Sequence, residues 1–213
     1  GRLLPALFED TRGYGILKKT CERTTAMKLL LFDIDGTLLD SGGAGTRSLA
    51  LAFEGLFSIR DAFAGITMAG KTDFQIMREG LTAHGIAANE QTLGPLCRRY
   101  QDHLRREIEN PRRHLKPMIV ESLSLFSAMD DVYLGLLTGN IEAGARIKLD
   151  AFGLNHYFPF GAFGDDDEDR NRLLPVAVKR FCALHRREIR YGDCVVIGDT
   201  PRDVECAKIH GAC

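Results

Sequence analysis

The sequence has little of what would tie a protein to a specialised surface or environment. Net charge is nearly absent: 28 lysines and arginines face 29 aspartates and glutamates, a formal balance of −1. No broad basic face therefore calls for a nucleic acid or an anionic membrane. No apolar run approaches the roughly 18 residues that suggest a membrane span. The six cysteines (Cys21, Cys97, Cys182, Cys194, Cys206, Cys213) lack CxxC or metal-ligand spacing and read as reduced thiols of a cytosolic protein. The six histidines (His84, His103, His114, His156, His185, His210) show no ligand spacing either, which argues against a zinc site. There is no internal repeat, and the one biased tract is the acidic run Asp165–Asp169. What is left is an ordinary globular composition, 45% hydrophobic and 27% charged over 213 residues. That suffices for one core domain carrying a smaller insertion.

Three short apolar runs read as buried strands: 28–33, 132–137 and 193–198. Each is followed by a turn signal and then helical periodicity, the signature of βα units around a parallel sheet. The helices after the second and third runs are expected over 141–152 and 201–210, with another over 120–129 leading into run 132–137. Phe158–Phe163 is a weaker strand candidate that leads into a helix around 171–186.

Between about 42 and 117 the pattern becomes helical only. Leu49, Phe53, Leu56 and Phe57 share one stripe, and Leu93, Leu96, Cys97, Tyr100, Leu104 and Ile108 share another, with spacings of three and four. Pro95 fits there only within a first turn. Gly42-Gly43 and the stretch from Asn110-Pro111 to Pro117 read as the two linkers of an inserted helical domain. Arg98-Arg99, Arg105-Arg106 and Arg112-Arg113 read as a solvated helix face. At the front, Met27 opens the first strand, and residues 1–26 are expected to be an upstream or non-native extension, the alternative being an extra helix around Leu3–Phe8. At the other end Gly211-Ala212-Cys213 follows a helix directly, where an α/β pattern would enter another strand.

The chemistry concentrates at strand ends, where ligands bind in open α/β sheets. The first strand ends in Asp33-Ile34-Asp35-Gly36-Thr37, and residues i and i+2 of an extended segment point the same way. Carboxylates that close repel, so they need a cation, a shared proton or separate roles. The second strand ends in Thr138-Gly139-Asn140, a hydroxyl and free amides leading into a helix N-terminus, which suits an anion. The third ends in Gly198-Asp199-Thr200-Pro201-Arg202-Asp203. Four carboxylates and a hydroxyl converging there suggest a hard divalent cation, Mg²⁺, held together with phosphate oxygens.

The segments DIDGTLLD, LLTGN and GDTPRD, in this order and on these strands, resemble the haloacid dehalogenase-like hydrolase superfamily, over essentially Lys28–Cys213. Within it, the chain resembles phosphatases related to phosphoglycolate phosphatase. The resemblance implies a Rossmann-like parallel sheet formed by 27–41 and 118–213, with a helical cap at 42–117 and a further edge strand beyond Ala212. It implies Asp33 as nucleophile and Asp35 as general acid and base. Thr138 would bind phosphate together with Gly139 and Asn140. Mg²⁺ would sit on the Asp33 carboxylate, the Asp35 carbonyl and Asp199, with Asp203 as a direct or supporting partner. Ala69-Gly70-Lys71-Thr72-Asp73 resembles the cap loop lowered onto substrate, with Lys71 as its cation.

One departure stands out. Many capped relatives carry a Lys-Pro pair before the helix preceding the last motif, whereas this chain has Asp167-Glu168-Asp169-Arg170-Asn171-Arg172. Arg170, at the start of helix 171–186, is the preferred substitute, since its planar fork suits phosphate and Asp33. Lys148 is the other candidate. It lies roughly 10 Å along its helix from the phosphate end and points back toward it. The functional expectation is a Mg²⁺-dependent phosphatase of a small phosphorylated metabolite. A phosphomutase, using Lys71 to hold a bisphosphate, and a non-catalytic binding protein on the same fold are the alternatives. Dehalogenation is disfavoured because it has no use for the acid Asp35. The sequence leaves the oligomeric state open.

Overall fold

The computed structural model describes residues 27–213; the expectations for residues 1–26, extension or helix, lie outside the described residues. In chain order the elements are β1 (Lys28–Phe32), β2 (Leu39–Asp40), α1 (Ala44–Phe57), α2 (Asp73–Ala83), α3 (Glu90–Glu107) and β3 (His114–Leu115). They continue as α4 (Ile119–Ser127), β4 (Val132–Leu137), α5 (Glu142–Asp150), β5 (Gly161–Ala162), α6 (Leu173–His185), β6 (Cys194–Ile197) and α7 (Pro201–Ile209).

The apolar runs become a four-stranded parallel sheet in the order β5-β4-β1-β6. Its alternation sorts side chains between two faces. Leu29 and Leu31 join Phe181, Leu174 and Ala207 beneath α6 and α7. Phe32, Leu134 and Leu136 join Leu123, Ala145 and Leu149 beneath α4 and α5. Both faces are covered, as continuous apolar strands require. The candidate strand over Phe158–Phe163 shrinks to Gly161–Ala162, because Phe158, Phe160 and Phe163 are buried as core fillers. On the outer side of β6, Val196 N–H donates to the Cys213 carbonyl (2.8 Å) and Cys213 N–H donates to the Cys194 carbonyl (3.1 Å). The last residue thus pairs along the side of β6 where the further edge strand is expected.

The helices α1–α3 bury a separate core in which Phe53, Met77, Leu81, Leu96, Tyr100 and Leu104 meet. Two features of this region differ from expectation. The chain leaves and returns through a two-stranded antiparallel ribbon, with Leu39 facing Leu115 and Asp40 facing His114, too short to leave a periodic signal. Pro95 also sits in the second turn of α3 rather than the first, because the helix begins earlier, at a reciprocal cap between Asn89 and Thr92. The cap and the stripe Leu93, Leu96, Tyr100 and Leu104 hold the helix despite the backbone hydrogen bond that proline removes. The linkers are clamped at the ribbon by Asn110 Nδ2 donating to the Ser41 carbonyl (3.0 Å) and Arg47 donating to the Gly42 carbonyl (2.7 Å). No helix among the described residues is long and apolar enough to cross a membrane.

Candidate active site

Parallel pairing does the first positioning. Beyond β1 the backbone N–H of Asp33 donates to the Ile197 carbonyl (2.9 Å), so Asp33 lies beside the segment Gly198-Asp199 that ends β6. The chain then folds over Ile34, with Leu38 N–H donating to the Ile34 carbonyl (2.9 Å). Gly36 makes this possible in two ways. Its φ is 85°, a left-handed conformation, and a Cβ there would collide with the Asp199 carboxylate. A substitution at 36 would thus displace an acidic side chain as well as strain the turn.

Asp33 is buried. The Thr138 hydroxyl donates to it, and Arg170 Nη2 lies 3.2 Å from its Oδ2. Burial pushes its carboxyl up to about 6; Arg170 opposes that shift, and the neighbouring Asp203 adds to it. Arg170 itself is buried and also pairs with Asp203 Oδ1. The other Asp203 oxygen accepts from Thr200 N–H (3.0 Å) and the Thr200 hydroxyl (2.7 Å). Asp203 therefore serves as the anchor of Arg170 and the cap of α7. Asp199 is exposed to solvent and accepts from the Thr37 hydroxyl (3.3 Å). One carboxylate oxygen from each of Asp33, Asp199 and Asp203 lies within 4.8 Å of the others. This all-oxygen donor set fits a hard divalent cation.

Asp35 occupies a different electrostatic setting two residues on. Lys148 Nζ lies 2.5 Å from Asp35 Oδ2 and 2.6 Å from Asn140 Oδ1. Asn140 Nδ2 donates to both Asp35 (2.9 Å) and the Thr138 hydroxyl (2.8 Å). Burial works to raise the Asp35 carboxyl, but Lys148, Asn140 and Ser41 outweigh it and hold it below the ordinary carboxylate range. Burial likewise works against the Lys148 ammonium, and Asp35 and Asp73 overcome it. The two aspartates are thus pushed apart, Asp33 up by burial against the pull of Arg170, and Asp35 down by Lys148.

The choice between Arg170 and Lys148 dissolves in this geometry. Arg170 faces Asp33 and Lys148 faces Asp35, both buried. Lys148 reaches because α5 begins at Glu142 and its side chain runs back toward the helix N-terminus. Arg170 is not the partner of the acidic run beside it. Asp165 caps α5 at Glu142 N–H, Asp166 pairs with Arg180, and Glu168 pairs with Arg78 across from α2. Two other candidates have partners of their own. Lys71 lines the cavity but its ammonium is held by Glu79 at 2.5 Å. Gly139 is a docking point for the cap: its carbonyl accepts from Asp73 N–H (2.7 Å), and a Cβ would collide with the Lys71 carbonyl.

Sequence reasoning named Asp73 and Tyr100 without anticipating their contacts at the site. Asp73 Oδ2 accepts from Ile141 N–H (3.0 Å), just ahead of α5, and the Tyr100 hydroxyl also bonds it. Burial pushes the Asp73 carboxyl up to about 6 against the pull of Lys148. Burial and Asp73 hold the Tyr100 phenol well above its ordinary range, so it remains a donor. In the sequence Asp73 enters only as the last residue of the cap-loop segment, and Tyr100 as a member of the α3 stripe, so neither is assigned a role of its own. Together the aspartates, both cations and these cap residues wall a cavity of about 380 Å³.

Residues 30–208 match the family described as haloacid dehalogenase-like hydrolase. A phosphoglycolate phosphatase of Yersinia pestis is 25% identical over 188 residues, covering 87% of this chain and 78% of that one. Among solved structures, CbbY from Rhodobacter sphaeroides in complex with phosphate superposes with a TM-score of 0.68 at 15% identity, covering 87% of this chain and 84% of that one. A hydrolase from Pseudomonas syringae gives 0.65 at 21% identity, covering 87% and 82%. These likenesses agree with the parallel sheet, its strand-end carboxylates and the helical insertion, and the family match spans most of the chain. The chain belongs to the haloacid dehalogenase-like hydrolase family.

Proposed function

We propose that this hydrolase is a Mg²⁺-dependent phosphatase acting on a small phosphorylated metabolite. The observation that carries the reading is the pairing of two aspartates with opposite electrostatic settings at one cavity, each backed by its own cation.

The Asp33 carboxylate attacks phosphorus in line, the bond from phosphorus to the leaving oxygen breaks, and an aspartyl-phosphate forms. Asp35 delivers a proton to the leaving oxygen, then takes one from the water that attacks phosphorus. The bond to Asp33 breaks, orthophosphate leaves, and both carboxyls return to their starting states. In the substrate-free geometry Lys148 keeps Asp35 ionised, the state needed for the second half. An arriving phosphate dianion competes for that ammonium, and Asp35 then takes up from solvent the proton it donates, which it returns to solvent when product leaves and Lys148 pairs with it again. Thr138 orients Asp33, and Asn140 ties Thr138, Asp35 and Lys148 into one network.

The carboxylates of Asp33 and Asp199 are the residues that would hold Mg²⁺, with Asp203 behind them; the Asp35 carbonyl is a ligand by resemblance. Once bound, the ion neutralises charge between the nucleophile and the phosphate oxygens. The cavity of about 380 Å³ beneath α1–α3 suits small esters. The test is orthophosphate release from a panel of small phosphate esters with Mg²⁺ or excess chelator. Release that requires Mg²⁺ and is lost in Asp33→Asn supports the proposal. Release unaffected by either change, or no release at all, defeats it.

A further inference from the structure

The cavity has a floor of strand-end groups and a roof supplied by the cap, and the charges on the roof bear on what the leaving group can be. Three cations line the cavity, and each has a carboxylate partner: Arg170 with Asp33 and Asp203, Lys148 with Asp35, and Lys71 with Glu79. Two belong to the floor, where the phosphoryl group must sit. Lys71 is the one lysine or arginine that the roof contributes among the described lining residues. Its partner is held in place, since Gln75 Nε2 donates to the other Glu79 oxygen (3.2 Å) while Lys71 takes Oε2.

The roof also contributes Asp73, whose carboxylate is already engaged by Ile141 N–H and the Tyr100 hydroxyl. Its remaining surface is apolar or hydroxylic: Leu49, Met68 and Ile76 with Thr46. A second anion on the leaving group would enter the space facing Asp73, where every cation among the described lining residues already has a carboxylate partner. Like charges at close range in such a space are costly, and a site can discriminate by what it fails to pair.

We infer that the cap selects phosphate monoesters of small uncharged alcohols and rejects those bearing a second anion, with the Lys71–Glu79 pair as the specificity determinant. This rests on the phosphatase reading and deepens it. It separates the chain from the activity in the name of its Yersinia relative, because phosphoglycolate carries a carboxylate. It also argues against the bisphosphate chemistry of a phosphomutase, for which Lys71 would have to be free.

The experiment compares kcat/KM for propyl phosphate, glycerol 2-phosphate and phosphoglycolate at about pH 7.5 with Mg²⁺, using p-nitrophenyl phosphate as a reactive reference. The two esters of uncharged alcohols are expected to exceed phosphoglycolate by at least about tenfold, a difference of about 1.4 kcal/mol. Glu79→Gln, which frees Lys71, should move that ratio toward phosphoglycolate by about five- to tenfold. Lys71→Met serves as the second variant, and should lower the phosphoglycolate rate no more than the others. Equal or preferred use of phosphoglycolate overturns the inference while leaving the phosphatase reading intact, as does a selective loss of phosphoglycolate turnover in Lys71→Met. No release from any ester, p-nitrophenyl phosphate included, overturns both.

Discussion

Replacing Asp33 should make the metal-free protein more stable. Burial raises the Asp33 carboxyl from an ordinary 3.8 to about 6, outweighing Arg170. The fold therefore favours the protonated form. The stability tied to this group is fully present below pH 3.8 and is lost as pH rises through 6. Above that, ionised Asp33 costs on the order of 3 kcal/mol relative to a neutral group, at about 1.4 kcal/mol per pKa unit. Asp33→Asn removes the charge and keeps the shape, and Arg170 retains Asp203 as its partner. For a chain of this size such a gain corresponds to roughly 5–10 °C in Tm. The assay is thermal unfolding of wild type and Asp33→Asn in chelator between about pH 4 and 8. The variant should match wild type near pH 4 and exceed it above pH 6. Mg²⁺ should then raise the wild-type Tm and leave the variant nearly unmoved. A variant no more stable than wild type at pH 7.5 without metal would refute the reasoning.

The two cations should fail differently. Lys148→Ala leaves Asp33 untouched, so its kcat should drop about 10²–10³-fold with little change in Mg²⁺ affinity, measured by titrating activity with metal. Arg170→Ala leaves Asp33 and Asp203 facing each other unpaired in the interior, and chemical denaturation should show a loss of about 3–5 kcal/mol, partly restored by Arg170→Lys. Gly139→Ala forces a Cβ into the Lys71 carbonyl; hydrogen exchange should show faster opening of the N-terminal turn of α2, and KM should rise more than about fivefold. Wild-type exchange in that turn would contradict the docking role.

The sheet was legible because β1, β4 and β6 have apolar packing on both faces and so are written as unbroken apolar runs. The pair Asp33 and Asp35 was legible because a two-residue spacing past a strand end puts both on one side. Lys148 could be anticipated as far as helical geometry allows, but not its partner, since Asp35 lies 113 residues earlier in the chain. The same limit hid Asp73. Its bond to Ile141 spans 68 residues and joins the cap to the core, so no local pattern records it. Lys71 shows the opposite difficulty: its type and place suggested a free cation, and only the fold of α2 reveals that Glu79 already holds it. The β2–β3 ribbon is two residues deep on each side, below the length at which alternation can be read.

The central claim, that Asp33 carries the phosphoryl group and Asp35 then activates water, is tested most directly by trapping. Asp35→Asn with p-nitrophenyl phosphate, whose leaving group needs no acid, should release a burst of nitrophenolate about equal to the enzyme and then nearly stop. Acid quench and peptide mapping should place the phosphoryl group on Asp33. A burst with no bound phosphoryl group, or with the group on another residue, would contradict the account.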